Sequence, residues 1–172
     1  MGLANLYRLL ARVWIQEADE TLLDELRAGE LNVALTAAGC SIPQASAIEE
    51  LALDYCQLFI GPKNPLRPVQ SVWSEGQLEG APAASMRDVY LPLLPDFVRP
   101  HQLMPDHLGI QLAFMSDLID ADVEDLPARF FADHLAWTKP LTDTSSARAQ
   151  TDFYRTFIQL TADFLTSESA IR

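Results

Sequence analysis

Residues 46–62 read SAIEELALDYCQLFIGP. Ile48, Leu51, Ala52, Tyr55, Leu58 and Phe59 return every three or four positions, which places them on one side of a helix, and Gly61-Pro62 then removes both helical φ/ψ and a donor. The stretch contains no two-residue alternation, so a strand is excluded at the position where the apolar signal is strongest. The same period extends outward on both sides. Upstream, Leu3, Leu6, Tyr7, Leu10, Val13 and Trp14 form an opening stripe for which a helical hairpin partner is expected, and Leu22, Leu26, Leu31 and Leu35 continue it over 21–27 and 30–38, with Gly39 as a stop. Downstream, Met86, Val89, Tyr90, Leu93 and Leu94 predict a helix closed near Pro95. Leu108, Leu112, Met115, Leu118 and Ile119 predict one opened by Pro105 and Asp106. Leu126, Phe130, Phe131, Leu135 and Trp137 follow, then a linker over 140–146, then a long helix carrying Phe153, Phe157, Leu160 and Phe164.

This pattern implies an all-α, single-domain helical bundle spanning residues 1–172, with no internal repeat. The interval 61–80 is different. It holds Pro62, Pro65 and Pro68 with little periodicity, and a connection of that length inside a compact domain is uncommon unless it serves a function. A long proline-rich loop is therefore expected there, and it is the first place to seek a site.

Composition narrows the partners. Apolar residues make up 49% and charged residues 21%, a globular balance, and 172 residues suffice for a core without staples. Cys40 and Cys56 have neither CxxC nor zinc-ligand spacing and are expected as buried thiols in helical surroundings. The first 14 residues interrupt their apolar positions with Asn5, Arg8 and Arg12, unlike a signal peptide, and no apolar run is long enough to span a bilayer. A net charge of −12 repels phosphate backbones and anionic lipid and attracts basic peptides, so neither nucleic acid nor stable membrane insertion is expected.

Catalytic signatures are missing. The chain has no GxSxG, no GxxxxGK followed by Ser or Thr, and no Glu with His three positions later, as a di-iron bundle requires. His101, His107 and His134 lie on different segments without metal-ligand spacing, so neither metal nor cofactor is expected. Asp106 beside His107 is the one candidate acid–base pair, but neighbouring helical residues point apart. The plainer reading has Asp106 at the positive end of a helix with His107 packing or capping beside it.

Three strings in order, Asp54-Tyr55-Cys56-Gln57-Leu58-Phe59-Ile60-Gly61-Pro62, Ser71-Val72-Trp73 and Pro105-Asp106-His107-Leu108-Gly109, resemble the successive signatures of the TorD/DmsD family of molybdoenzyme-maturation chaperones. His134-Leu135-Ala136-Trp137 and Asp152-Phe153-Tyr154-Arg155 extend the resemblance, which runs from Tyr7 to the last helix. It implies a cytoplasmic, non-catalytic protein, monomer or homodimer. Such a protein would bind the twin-arginine signal peptide and catalytic subunit of a molybdopterin-dependent enzyme, assist cofactor insertion and hold back premature export. The peptide groove carried over by the resemblance would be bordered by Tyr55, Leu58, Phe59, Gly61, Pro62, Ser71, Trp73, Asp106 and His107, with Leu58 and Phe59 as an apolar floor. Asp106 would pair an incoming Arg through charge-assisted hydrogen bonds. For each residue taken singly, plain packing at a helix end remains the competing reading. The nearest alternatives are a chaperone of a non-exported nitrate-reductase-type enzyme and a helical adaptor indifferent to the signal.

Overall fold

A computed structural model describes residues 2–37, 39–100 and 102–171, and the described residues form helices joined by turns, with no strand beyond one isolated antiparallel bridge between Val69 and His107. The fold is all-α. The opening stripe becomes α1 (Leu3–Ile15), whose Tyr7, Leu10, Ala11 and Trp14 are buried. α1 packs chiefly against α7 (Leu108–Asp120), more than 90 positions along the chain, and not against the helix that follows it. The reason is steric. A β-carbon on Gly109 would come within 2.5 Å of Ile15 Cγ1 and 3.2 Å of the Ala11 carbonyl oxygen, so the two backbones approach as closely as a glycine allows. α7 is buried almost all round, with Leu108, Ile110, Leu112, Phe114, Met115 and Leu118 fully covered.

α2 (Glu20–Arg27) starts where the Asp19 carboxylate accepts from Leu22 N at 2.9 Å. α3 (Gly29–Ala37) closes through Gly39 at φ 80°, and Cys40 N donates to the Leu35 carbonyl. Ala38 lies outside the described residues, as does His101, and the Leu31 side chain is likewise not described. α4 (Ile48–Tyr55) runs into a wider π turn, Cys56–Ile60, which ends when Gly61 N donates to the Cys56 carbonyl at 2.6 Å. A β-carbon on Gly61 would sit 3.1 Å from that same oxygen, which is why the turn closes on glycine.

Several expected boundaries move. The interval 61–80 is not one loop, because α5 (Gln70–Glu75) interrupts it and Gly76, at φ 74°, ends that helix. α6 (Ala81–Ser85) opens with Pro82 in its first turn and continues as a π turn over Met86–Tyr90 and a tighter turn over Leu91–Leu93, so helix begins five residues before its apolar stripe. α8 (Leu126–His134) stops short of Trp137. The expected 140–146 linker is instead α9 (Lys139–Arg148): Pro140 starts the helix, and Thr142 and Ser145 are buried without forming an apolar stripe. The last link is Ala149–Thr151, where the buried Asp54 carboxylate accepts from Thr151 N at 2.8 Å and its hydroxyl at 2.6 Å. α10 (Asp152–Ile171) follows. Cys40 is buried, but in a loop, and Cys56 is only half-buried.

The α1–α7 contact gives a direct test. Gly109→Val should lower stability by about 1–3 kcal/mol by forcing α1 away from α7, read as a lower urea midpoint with an unchanged m-value.

Candidate functional site

The Pro105–His107 turn lies at the start of α7 and is held to the end of the proline-rich segment by backbone on both sides. Gln70 N donates to the Asp106 carbonyl at 3.0 Å, and Leu108 N donates to the Pro68 carbonyl at 2.7 Å. The Asp106 carboxylate, fully buried, accepts from Ser71 N at 2.8 Å and from the Ser71 hydroxyl at 2.5 Å through one oxygen, Oδ2. Ser71 Oγ in turn accepts from Gly80 N at 3.1 Å, so the same carboxylate positions α5 and the chain leading into α6. Its second oxygen, Oδ1, is buried with no hydrogen-bond partner. His107 caps α7, with Nδ1 accepting from Gly109 N at 3.1 Å. Burial pushes this imidazole down to about 4, so it is neutral at pH 7.

A second buried polar group lies beside the first. The Gln70 side chain donates to the Asp133 carbonyl at 2.8 Å, while its Oε1 accepts from Gln111 Nε2 at 2.7 Å and stands 2.9 Å from His134 Nδ1. With that acceptor facing Nδ1, the proton of His134 resides there, and Nε2 accepts from the Ser85 hydroxyl at 3.1 Å. Gln111 Oε1 accepts from Trp137 Nε1 at 3.1 Å. Burial lowers His134 to about 4 against the opposing pull of Asp133 and Asp106. Tyr90 donates to the Asp133 carboxylate at 2.5 Å, its phenol raised to about 12 by burial and by that carboxylate. This network joins α5, α6, α7 and α8, and every amide in it has a partner of matching polarity.

The expected site residues fall into two groups. Ser71, Asp106 and His107 come together at one junction, and Trp73 stands half-buried at its edge, donating from Nε1 to the Arg67 carbonyl at 2.8 Å. Tyr55, Leu58 and Phe59 do not join them. They are core residues between α1 and α10: Tyr55 donates to the Trp14 carbonyl at 3.0 Å, and the Phe59 ring lies 5.2 Å from Trp14 and 5.1 Å from Tyr55. Gly61 is half-buried and Pro62 exposed, at the near end of the segment that links the two groups, and Leu66 N ties that segment back to the Leu58 carbonyl at 2.7 Å. Asp106, closed over by Ser71, presents no free face to an incoming guanidinium in this arrangement. Gln70, Gln111, Ser85 and Asp133 had no signal in the sequence beyond being polar residues near apolar stripes. Among the described residues, no three His, Cys, Asp or Glu side chains converge as a metal-holding group, and no helix is long and apolar enough to cross a membrane.

Two tests follow from this geometry. Asp106→Ala leaves Ser71 N without its acceptor and should cost about 1–3 kcal/mol, read as a lower urea midpoint with the helical circular-dichroism signal of the folded chain retained. Both buried imidazoles titrate near 4 in the folded chain against an ordinary 6.5, so the unfolded chain binds more protons between those values. Their contribution is complete above pH 6.5 and drains as pH falls toward 4, by at most about 3 kcal/mol each. Asn preserves an N-cap acceptor without titrating, so His107→Asn should flatten the fall in unfolding free energy between pH 7 and 5.

Comparison with known proteins gives three matches. The sequence model of the nitrate reductase delta subunit family matches residues 15–159. The chain is 31% identical over 162 residues to the chaperone protein YcdY of Escherichia coli strain K12, covering 92% of this chain and 75% of that one. A crystal structure described as that of a redox enzyme maturation protein from Archaeoglobus fulgidus shares the fold at a TM-score of 0.62 and 22% identity, covering 96% of this chain and 95% of that one.

Proposed function

The chain belongs to the nitrate reductase delta subunit family, non-catalytic chaperones of the TorD type that act in redox enzyme maturation, and on that premise we propose that it recognises a molybdoenzyme catalytic subunit through its twin-arginine signal peptide. It does so in the cytoplasm, as a monomer or homodimer, before the client is exported with its cofactor inserted. The observation that carries this reading is the junction itself. Two strings of the family resemblance, 71–73 and 105–109, meet at one carboxylate, and the third, 54–62, leads into the segment that closes on it.

The physical character of the surface agrees with such a client. A twin-arginine signal joins a cationic start to an apolar stretch, and the chain offers a net charge of −12 with Pro62 exposed, residues 63–67 exposed or half-buried, and Trp73 half-buried beyond the buried 68–71. Asp106 and Ser71 then act from beneath, fixing the frame on which Trp73 is presented. Tyr55, Leu58 and Phe59 support the far end of the same segment from the core. A second reading is favoured by the family description: a client of the nitrate-reductase type that is not exported, recognised through its folded or partly folded body.

Calorimetric titration with a synthetic twin-arginine signal peptide should show saturable binding that weakens when both arginines are replaced by alanine, and Trp73→Ala should weaken it at unchanged fold. Silence across signals from several molybdoenzymes would remove signal reading and leave the second client class.

A further inference from the structure

Cations are scarce in this chain, and most of those described stand 2.5–3.9 Å from a carboxylate. Among the described residues Lys63, Arg67, Arg99 and Arg148 have no such partner. Arg99 is spent on the Leu103 carbonyl, and the other three gather in one place. Lys63 and Arg67 are exposed on the proline-rich segment. Arg148, at the end of α9, donates from Nη1 to the Asn64 carbonyl at 2.9 Å, which sets its guanidinium against the backbone between them. A chain of net charge −12 thus carries an uncompensated positive strip along residues 63–67.

Apolar surface borders the strip. Leu53 and Ile60 are 57% and 66% exposed, on the side of α4 and its π turn that faces away from the core. Gln57 lies between them, and its Oε1 accepts from the side chain of Gln150, two residues after Arg148. The 148–150 link therefore touches the apolar face on one side and the cations on the other, and both belong to one surface. A single exposed aliphatic side chain is ordinary, but two on one helical face beside three unmatched cations specify an occupant that is apolar in one part and anionic in the next.

The occupant's class follows from size and charge. A free phosphate has no use for Leu53 and Ile60. Nucleic acid or an anionic bilayer would reach far past the strip and meet the acidic remainder of the surface. At about 0.15 M salt, charges more than about 8 Å away are largely screened, so a short segment lying on the strip senses its cations ahead of distant carboxylates.

We infer that Leu53, Ile60, Lys63, Arg67 and Arg148 form a second docking surface, which takes a polypeptide segment of a partner in which apolar residues adjoin Asp or Glu. The assignment rests on the chaperone role only for the partner being a polypeptide. Because the strip repels cations, the twin arginines of a signal are not read there.

The test uses the full chain at about 0.15 M salt and a fluorescein-labelled synthetic peptide of about 12 residues, a Leu-rich half followed by an Asp/Glu-rich half, beside its Asn/Gln analogue. Anisotropy should show saturable binding of the acidic peptide, at least about tenfold weaker for the analogue and for Lys63→Glu/Arg67→Glu, as loss and reversal of several surface charge pairs implies. The charge-reversed variant should instead bind the peptide with Lys in its second half. Leu53→Gln/Ile60→Gln, at exposed positions, should weaken the acidic peptide about fivefold at unchanged circular dichroism. A twin-arginine signal should tighten in Lys63→Glu/Arg67→Glu, opposite in sign to the acidic peptide. Failure of the signal to bind any form removes signal reading and leaves this assignment standing, since the acidic peptide reports on it alone. No saturable binding of the acidic peptide, or binding indifferent to Lys63→Glu/Arg67→Glu, overturns the assignment. So does displacement by pyrophosphate with no effect of Leu53→Gln/Ile60→Gln, which would make the strip a small-anion site. A dimer of the chain that Leu53→Gln/Ile60→Gln dissociates overturns it too, because a second copy is then the occupant.

Discussion

The close approach of α1 to α7 at Gly109 sets where everything else in the molecule can lie. With no β-carbon between them, the α1 backbone seats directly on the first turns of α7, and α7 becomes a central helix that every layer must cover. α1 in turn carries α10. Trp14 Nε1 donates to Thr161 Oγ1 at 3.1 Å, the Tyr7 hydroxyl donates to Glu168 at 3.0 Å, and Ala18 N donates to the Tyr154 hydroxyl at 3.0 Å. Fixing α7 also fixes its amino end, and His107 and Asp106 are that end. The junction with α5 is therefore placed by packing remote from it, and the proline-rich segment is held there although it has little periodicity of its own.

Inside this frame, polar groups do what apolar packing cannot. A hydrophobic contact among α5, α6, α7 and α8 would be satisfied by many small rotations, whereas the amides of Gln70 and Gln111 admit one set of partners. The neutrality of His134 belongs to that logic. Its Nδ1 faces a carbonyl oxygen and its Nε2 a hydroxyl, so the ring is bonded on both sides without charge, and burial then holds the proton count at one. The same reasoning separates His107 from catalysis. An imidazole whose Nδ1 is committed to Gly109 N and whose affinity for a second proton is depressed is a helix cap, and Asp106, bonded to Ser71, does not orient it.

What could be read from the sequence is what periodicity and breakers encode. Ile48 to Phe59 carried a stripe and formed a helix, and Gly39 and Gly61 stopped helices where expected because each supplies a backbone geometry or close approach that a side chain would oppose. α5 and α9 were missed for the converse reason. Gln70 and Ser71 bond other polar groups in the interior, and Thr142 and Ser145 are buried small polar residues, so the faces they bury leave no apolar period. The site was legible in part. The order of the family strings grouped Tyr55, Leu58, Phe59, Gly61, Pro62, Ser71, Trp73, Asp106 and His107. Of these, Ser71, Asp106 and His107 meet with Trp73 at their edge, while Tyr55, Leu58 and Phe59 pack in the core. Gln70, Gln111 and His134 meet only through tertiary folding and carry no spacing that reports it. The hairpin expected after α1 failed on the same principle, since a stripe tells that a face is buried and not which helix buries it.

The buried Asp106 brings these points together. One oxygen holds Ser71 twice over, while the other has no partner, and a buried acceptor left unmade costs of the order of 1–3 kcal/mol. The carboxylate therefore contributes less to the junction than its bond count implies, and the backbone pairs Gln70 N to the Asp106 carbonyl and Leu108 N to the Pro68 carbonyl carry more of it. Gln70 belongs to both fastenings, its N–H on the turn before α7 and its side chain on Asp133, Gln111 and His134, so a segment with little periodicity of its own is fixed at one residue to two other helices, α7 and α8.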